Sequence, residues 1–259
     1  MKMMKISPYR IYLLFKRDLR ENMKSLIIAS SAVSVFIFFL INESAFEHTA
    51  LYPLFLYTGG FIYTSACFRE IHQRDRNSVY LLLPASVIEK FIQRLVTTTI
   101  VWIVFSLVLY SISSFAAVFS VNYAFNAGLP HFNPFSSEIF RTFPVYIINS
   151  SLFFLGSVYF RKMHFFKTLL SLSAFFLLTL IIVSVFARFI FSRDISILFS
   201  SVFEKNFGLL DYSVIYLEFE KIFSVFIKTL RLLYFTAVAP LFWFVSYLRL
   251  KEVQVRDGI

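Results

Sequence analysis

A charged segment followed by an apolar one holds the densest set of recognition-type side chains in the sequence. It reads REIHQRDRNS from Arg69 to Ser78 and continues as VYLLLPASVIEKFIQR to Arg94. Charges of both signs orient an approaching partner, and a run of leucines offers apolar surface that a partner can bury. These residue types therefore indicate a binding surface and not a catalytic centre.

Catalytic motifs are absent from the sequence. It contains no H-E-x-x-H zinc motif, no G-x-S-x-G nucleophile turn, and no G-x-x-x-x-G-K-[ST] phosphate loop among its six glycines. The four histidines, His48, His72, His131 and His164, are scattered, and the single cysteine excludes an internal disulfide. We expect no enzyme activity and no ATP hydrolysis by this chain, with an intramembrane enzyme kept as a less favoured alternative.

The composition places the chain in a membrane. Of its 259 residues, 58% are hydrophobic, 20% are aromatic and only 15% are charged. Soluble domains contain about 25% charged residues and about 45–50% apolar ones. Such an excess of apolar side chains has no soluble interior large enough to hold it, so we expect an integral membrane protein.

Stretches without charged residues locate the membrane spans, since about 20 apolar residues cross the hydrocarbon core. Six such stretches predict an all-α, polytopic fold. We place the spans at about 25–42, 50–68, 95–121, 142–160, 168–188 and 230–248. Together they form a transmembrane domain from 25 to 248, between a cytoplasmic segment at 1–24 and a cytoplasmic tail at 249–259.

Lysine and arginine set the predicted orientation. With six spans both termini lie on one side, and eighteen of the 25 basic residues fall on that side. Basic residues accumulate on the cytoplasmic face, so we expect both termini in the cytoplasm and the protein in the cell (inner or plasma) membrane. This distribution accounts for the net charge of +10, and we expect no nucleic-acid binding.

The segment 1–24 is predicted to be an amphipathic helix that lies on the anionic cytoplasmic leaflet. Its predicted apolar arc holds Ile11, Leu14, Phe15 and Leu19, and its predicted basic arc holds Arg10, Lys16, Arg17, Arg20 and Lys24. Asp18 interrupts the apolar arc. This carboxylate either pairs with a nearby arginine or contacts a partner protein.

The loop between spans two and three is predicted to hold a helix, a break and a second helix. The charged strip after Arg69 should prolong the helix of span two, and Pro84 should end it. Ser86 and Glu89 then match the capping box S-x-x-E, which opens a new helix leading into span three. The apolar segment Tyr80–Leu83 either binds a partner or packs back onto the bundle.

Between spans five and six, residues 189–229 are apolar but interrupted by charges. These runs are too short and too charged to cross a membrane fully. We predict two external re-entrant helices that dip into the outer leaflet and pack against the bundle.

This combination resembles the permease subunits of ABC-2-type ATP-binding-cassette transporters. The elbow LLLPAS..EKF is similar to the stretch that forms the coupling helix of that family, which seats in a groove of a separate ATPase subunit. The resemblance implies that the partner binds ATP and Mg²⁺, that a second permease chain completes a homo- or heterodimer, and that 1–24 is the connecting helix. It assigns ATPase docking to Arg69, Glu70, Asp75, Arg76, Tyr80, Leu82, Leu83, Pro84, Ala85, Ser86, Glu89 and Lys90.

The predicted spans contain few side chains that could bind a small ion. Charge-free interiors argue against an ion-coupled carrier, and the serines and threonines within them usually bond neighbouring helices. A phenylalanine-rich interior favours an amphipathic or lipid-like cargo, and export is the usual direction in the family resembled. A non-transporting membrane scaffold or assembly protein stays open as the alternative.

Overall fold

The structure is a computed structural model that describes residues 7–21, 35, 48–72, 85–125, 132–204 and 212–257. Its regular elements are all helical, and no strand occurs in those ranges. The helices are α1 (8–21), α2 (His48–Ala66), α3 (Val87–Val96), α4 (Trp102–Phe125), α5 (Ser137–Tyr159), α6 (His164–Glu204) and α7 (Tyr212–Asp257). A 3₁₀ turn spans Arg69–His72, and a π-helical turn at Thr97–Val101 joins α3 to α4 without a break.

Four helices are long and apolar enough to cross a membrane. They are Val87–Tyr123, Ser137–Tyr159, His164–Phe186 and Arg231–Val253. These segments cover most of the predicted spans three to six, so the chain is an all-helical membrane protein. Helix α2 coincides approximately with the predicted second span, but it does not reach the mean hydropathy of those four segments. The predicted first span, 25–42, falls almost wholly outside the described residues.

The described chain forms two compact units: residues up to Phe165 together with those from Ala237 onward, and Phe166–Thr236. The first unit has an aromatic core where α2, α4 and α5 meet. Its fully buried side chains include Tyr52, Leu56, Tyr110 and Tyr146. A second cluster packs α3, α5 and the end of α7 around Phe68, Phe91, Phe154, Leu250 and Val253.

Two glycines allow the aromatic core to close. A Cβ atom on Gly60 would lie 2.4 Å from Tyr146 Cε2, and one on Gly59 would lie 2.7 Å from Trp102 Cζ2. Both distances are below any real Cβ contact, so only glycine permits the Trp102 and Tyr146 rings to lie against the backbone of α2. The indole Nε1–H of Trp102 also donates to the Leu56 carbonyl at 3.2 Å.

Span two does not continue as an α-helix into the first four residues of the charged strip, and the rest of the strip lies outside the described residues. Helix α2 ends at Ala66, and the chain turns through Cys67 N–H donating to the Thr64 carbonyl at 3.2 Å. The reason is burial: Phe68 and Ile71 are 1% and 5% exposed in the second cluster. A straight helix would carry both side chains away from that cluster.

The second unit contains most of α6 and the first part of α7. From Leu169 to Phe186 the apolar side chains are largely exposed all around α6, as is typical of a lipid-facing helix. Its hydroxyls bond their own backbone, with Ser173 donating to Leu170 O and Thr179 to Phe175 O at 2.9 Å. The helices run without interruption through 189–204 and 212–229, as extensions of α6 and α7. No separate short helix occurs in those two ranges.

Candidate functional site

The start of α3 is held by one buried carboxylate. The Glu89 side chain accepts the backbone N–H of Ser86 at 2.8 Å, and Glu89 N–H donates to the Ser86 hydroxyl at 3.3 Å. These two bonds form the capping box that the sequence predicts, and they confirm a helix start at this position. The carboxylate of Glu89 is 0% exposed.

The same carboxylate ties α1 to α3. Glu89 Oε1 accepts the backbone N–H of Ser7 at 2.7 Å and forms an ion pair with Arg10 at 3.1 Å. Burial opposes the charged form of Glu89, but the N–H groups of Ser7 and Ser86, the Ser86 hydroxyl and Arg10 together lower its pKa. Glu89 therefore stays ionised and links the first turns of two helices.

A second buried contact joins α1, the 3₁₀ turn and α3. Asp18 Oδ2 lies 2.7 Å from Arg94 and accepts Gln93 Nε2–H at 2.8 Å. Arg94 also pairs with Glu70 at 3.2 Å, and Arg17 approaches Asp18 at 3.2 Å and Glu70 at 3.5 Å. Asp18 and Arg94 are 5% and 6% exposed. We call these residues with Ser7, Arg10, Ser86 and Glu89 the α1–α3 junction.

The sequence left two interpretations open for Asp18, and the structure confirms the pairing with an arginine. Removing one partner of a buried ion pair leaves an uncompensated charge, which costs about 3–5 kcal/mol. Such a contact therefore fixes α1 on α3 firmly. Neither Gln93 nor Arg94 was singled out from the sequence. The available signal was their position one turn after Glu89 and Lys90 on the same short helix.

Lys90 is buried beside this junction, with 4% of its surface exposed. It lies near the start of the segment Val87–Tyr123, five residues before the predicted span 95–121. Burial, and to a smaller extent the positive charge of Arg17, lowers the pKa of Lys90 to about 8. The protein interior therefore favours the uncharged form of Lys90 more than water does.

The junction is not arranged to bind a metal. Oxygen atoms of Asp18, Glu21 and Glu70 lie within 4.8 Å of one another, as one acidic group within the described part of the chain. Arg17 forms ion pairs with all three carboxylates. Arg94 also pairs with Asp18 and Glu70, so the cluster is an internal ion-pair network.

Half of the predicted docking residues can be placed. Arg69 is exposed, Ala85 and Ser86 are half-buried, and Glu70 contributes to the junction. Glu89 and Lys90 are buried and contact the chain itself. The remaining positions, Asp75, Arg76, Tyr80, Leu82, Leu83 and Pro84, lie outside the described residues. ATPase docking at any of these positions stays a prediction.

The exposed side of helix α1 is not the apolar arc that the sequence predicts. Leu14 is buried against the protein, Ile11 and Phe15 are half-buried, and Arg10 and Arg17 turn inward to their carboxylate partners. The predicted apolar arc is therefore mostly a protein-facing one. The exposed arc combines Tyr9, Tyr12, Leu13, Lys16, Leu19 and Arg20. Aromatic, leucine and cationic side chains on one arc suit a membrane interface.

Comparison of the chain with protein-family models, with curated proteins and with solved structures finds no match in any of the three. The functional argument therefore depends on the residues and contacts of the chain itself.

Proposed function

We propose that the chain is the permease subunit of an ABC-2-type exporter. A separate ATPase subunit binds ATP and Mg²⁺, and a second permease chain, identical or related, completes the pathway. Six spans cross the cell membrane, both termini are cytoplasmic, and 189–229 contributes the external re-entrant region. The cargo is amphipathic or lipid-like, because the predicted spans are free of charge and rich in phenylalanine.

One observation carries the proposal: a span-length helix is continuous with a short, capped and internally fixed helix at one end. From Val87 to Phe125 the helix has no break, and its first three turns are joined to α1 through Glu89, Asp18 and Arg94. A continuous helix transmits a displacement from one end to the other, and packed interfaces switch as units. A displacement of Ala85 and Ser86 by the ATPase would thereby move the membrane-spanning part of the same helix.

The predicted docking residues have two different roles, contact with the ATPase and positioning within the chain. Exposed Arg69 and the segment that contains Leu82 and Leu83 contact the ATPase. Glu70, Glu89 and Lys90 act as positioning residues, because their side chains are buried or paired within the chain. The apolar contact supplies affinity, and the surrounding charges orient the encounter.

The experiment is a co-purification from native membranes with an affinity tag on this chain. We expect a nucleotide-hydrolysing subunit to copurify, and replacement of Leu82 and Leu83 by aspartate to reduce its recovery at least tenfold. Met163→Asp is the matched control. Met163 is 66% exposed, sits in the loop between α5 and α6, and has φ 52, which aspartate tolerates.

Two outcomes would contradict the proposal. If no nucleotide-hydrolysing protein copurifies with the unaltered chain, the transporter assignment fails and the scaffold alternative gains support. If the ATPase is recovered equally with the Leu82 and Leu83 replacements, the transporter assignment stands and the docking site is elsewhere.

A further inference from the structure

The helix Val87–Phe125 changes its winding at one place. In an α-helix the Trp102 N–H would donate to the Thr98 carbonyl, four residues back. Here it donates to the carbonyls of Thr97 and Thr99, and Thr97–Val101 forms a π-helical turn. Such turns contain one more residue than a regular turn and are frequent at functional sites.

A side chain from another helix takes the carbonyl that the backbone gives up. The Tyr146 hydroxyl of α5 donates to Thr98 O at 2.7 Å. Both residues are buried, with Thr98 1% and Tyr146 0% exposed. Gly60 makes room for the tyrosine ring, since a Cβ atom there would lie 2.5 Å from the Tyr146 hydroxyl oxygen. The tyrosine is therefore held where it replaces the missing backbone donor.

Three consecutive hydroxyls weaken the last turn of α3 in the same region. Thr97, Thr98 and Thr99 donate to the carbonyls of Gln93, Arg94 and Leu95 at 2.7, 2.9 and 2.7 Å. Each of these carbonyls is the usual acceptor for the amide four residues later, so the hydroxyl competes with the helix. All three threonines are buried, with no more than 6% exposed.

We propose that Tyr146 is a positioning residue that holds Thr97–Val101 as a hinge between the α1–α3 junction and the rest of the long helix. Thr98 O has two alternative donors, the Tyr146 hydroxyl in the π form and the Trp102 N–H in the α form. Exchange between them moves one residue into or out of the turn. It rotates α3 by about 100° and shifts it by about 1.5 Å relative to α4. A role of this hinge in transport rests on the proposed function, but the hinge motion itself requires only this chain.

The test uses pairs of spin labels on the purified chain in lipid nanodiscs, without any ATPase. Labels at Ile88 and Val108 lie on either side of the π turn, about 30 Å apart. Labels at Val104 and Tyr123 both lie after the turn in the chain, about 28 Å apart. Tyr146→Phe should shift the bracketing distance by at least about 1.5 Å and leave the second pair unchanged. The matched control is Tyr52→Phe, which removes a buried hydroxyl that faces the Ser106 side chain at 3.4 Å and should move neither pair.

An unchanged bracketing distance, or an equal change in both pairs, overturns the hinge. Amide exchange of the unaltered chain is a second measurement, needed if Tyr146→Phe does not fold. Amides of 98–102 should exchange at least tenfold faster than those of 106–112, and uniform protection along the helix overturns the proposal. Neither measurement requires the partner, so failure of the hinge and failure of the transporter assignment are separable.

Discussion

Glu89 completes a helix cap and an interhelical contact with the same two oxygens. One oxygen accepts from Ser86 N–H, and the other accepts from Ser7 N–H and Arg10. A capping interaction alone contributes about 1 kcal/mol, whereas a buried carboxylate with several donors resists both protonation and displacement. The start of α3 and the placement of α1 are therefore linked through one side chain.

Arg94→Met should lower the free energy of unfolding by about 3–5 kcal/mol, because Asp18 would stay buried without its closest cation. Arg249→Met is the control, since Arg249 pairs with Glu252, which is 64% exposed. Exposed pairs contribute about 0.2–1 kcal/mol. Denaturant unfolding in mixed micelles measures both changes. Equal effects of the two substitutions would contradict a special role for the buried pair.

The contribution of Lys90 to stability should rise as pH increases from about 8 toward 10.5. The folded protein holds the pKa of Lys90 at about 8, below the ordinary value of 10.5. Between these two values the unfolded chain binds more protons, so raising the pH favours the folded state. Melting curves at several pH values measure the slope. Lys90→Met should reduce the upward slope relative to the unaltered protein, and exposed Lys16→Met should not; an identical slope in Lys90→Met and the unaltered protein refutes the assignment.

The capping box was readable from the sequence because it depends on residues only three positions apart. The sequence offered an ion pair with an arginine as one of two alternatives for Asp18, but it did not identify Arg94 as that arginine. Arg94 lies 76 positions further along the chain, and its approach depends on how α2 ends and the chain returns. Contacts of that range follow from packing and not from local pattern.

Helix α1 was predicted from its periodicity, but the arc that it exposes was not. The apolar pattern pointed to Leu14 as lipid-facing, whereas the structure buries Leu14 and Asp18 together against the protein. Buried partners for Arg10 and Arg17 turn the basic residues inward, which overrides the amphipathic pattern. The exposed arc then has to be read from the fold.

A spin label at Tyr12 should contact lipid in nanodiscs that contain anionic phospholipid. Tyr12 is 55% exposed and lies between Leu13 and Lys16 on the exposed arc. Collision rates with oxygen, which partitions into lipid, should exceed those with a water-soluble nickel chelate. A label at the half-buried Phe15 is the comparison and should be accessible to neither reagent. Preferential contact of the Tyr12 label with the nickel chelate would place the arc in water.

The capped helix was predicted to lead into span three, and the long helix Val87–Phe125 has that continuity. The structure joins them through the π turn, which the sequence pattern did not indicate. Its three threonines were taken as helix-packing residues, and their hydroxyls bond the carbonyls of their own helix. Tyr146, which lies 48 positions from Thr98, donates to the carbonyl within this turn, and no local rule contains that information.

At the level of the complete chain, the fold class was easier to predict from the sequence than the number and bounds of the helices. Composition alone indicated a helical membrane protein, and four helices meet the requirement for crossing. The fold departs from the sequence pattern where charge and apolarity alternate, as in 189–204 and 212–229. There the helices simply continue, because backbone hydrogen bonds are satisfied within a helix wherever it lies.

The orientation of the chain is tested with single cysteines and a membrane-impermeant maleimide on intact cells. A cysteine placed within 126–133 should react from outside, and one placed within 73–78 should react only after lysis. The native Cys67 is 7% exposed and should give a low background. The reverse labelling pattern would refute the predicted topology.

The bond between Ser7 N–H and Glu89 also has a consequence for biosynthesis. It spans 82 residues, and the Asp18–Arg94 contact spans nearly as many. Ribosomes add about 5–20 residues per second. The first helix therefore leaves the exit tunnel several seconds before its docking surface has been made. During that interval its charged face has only water, lipid headgroups or a chaperone to contact, so α1 is secured late although it is synthesised before α3.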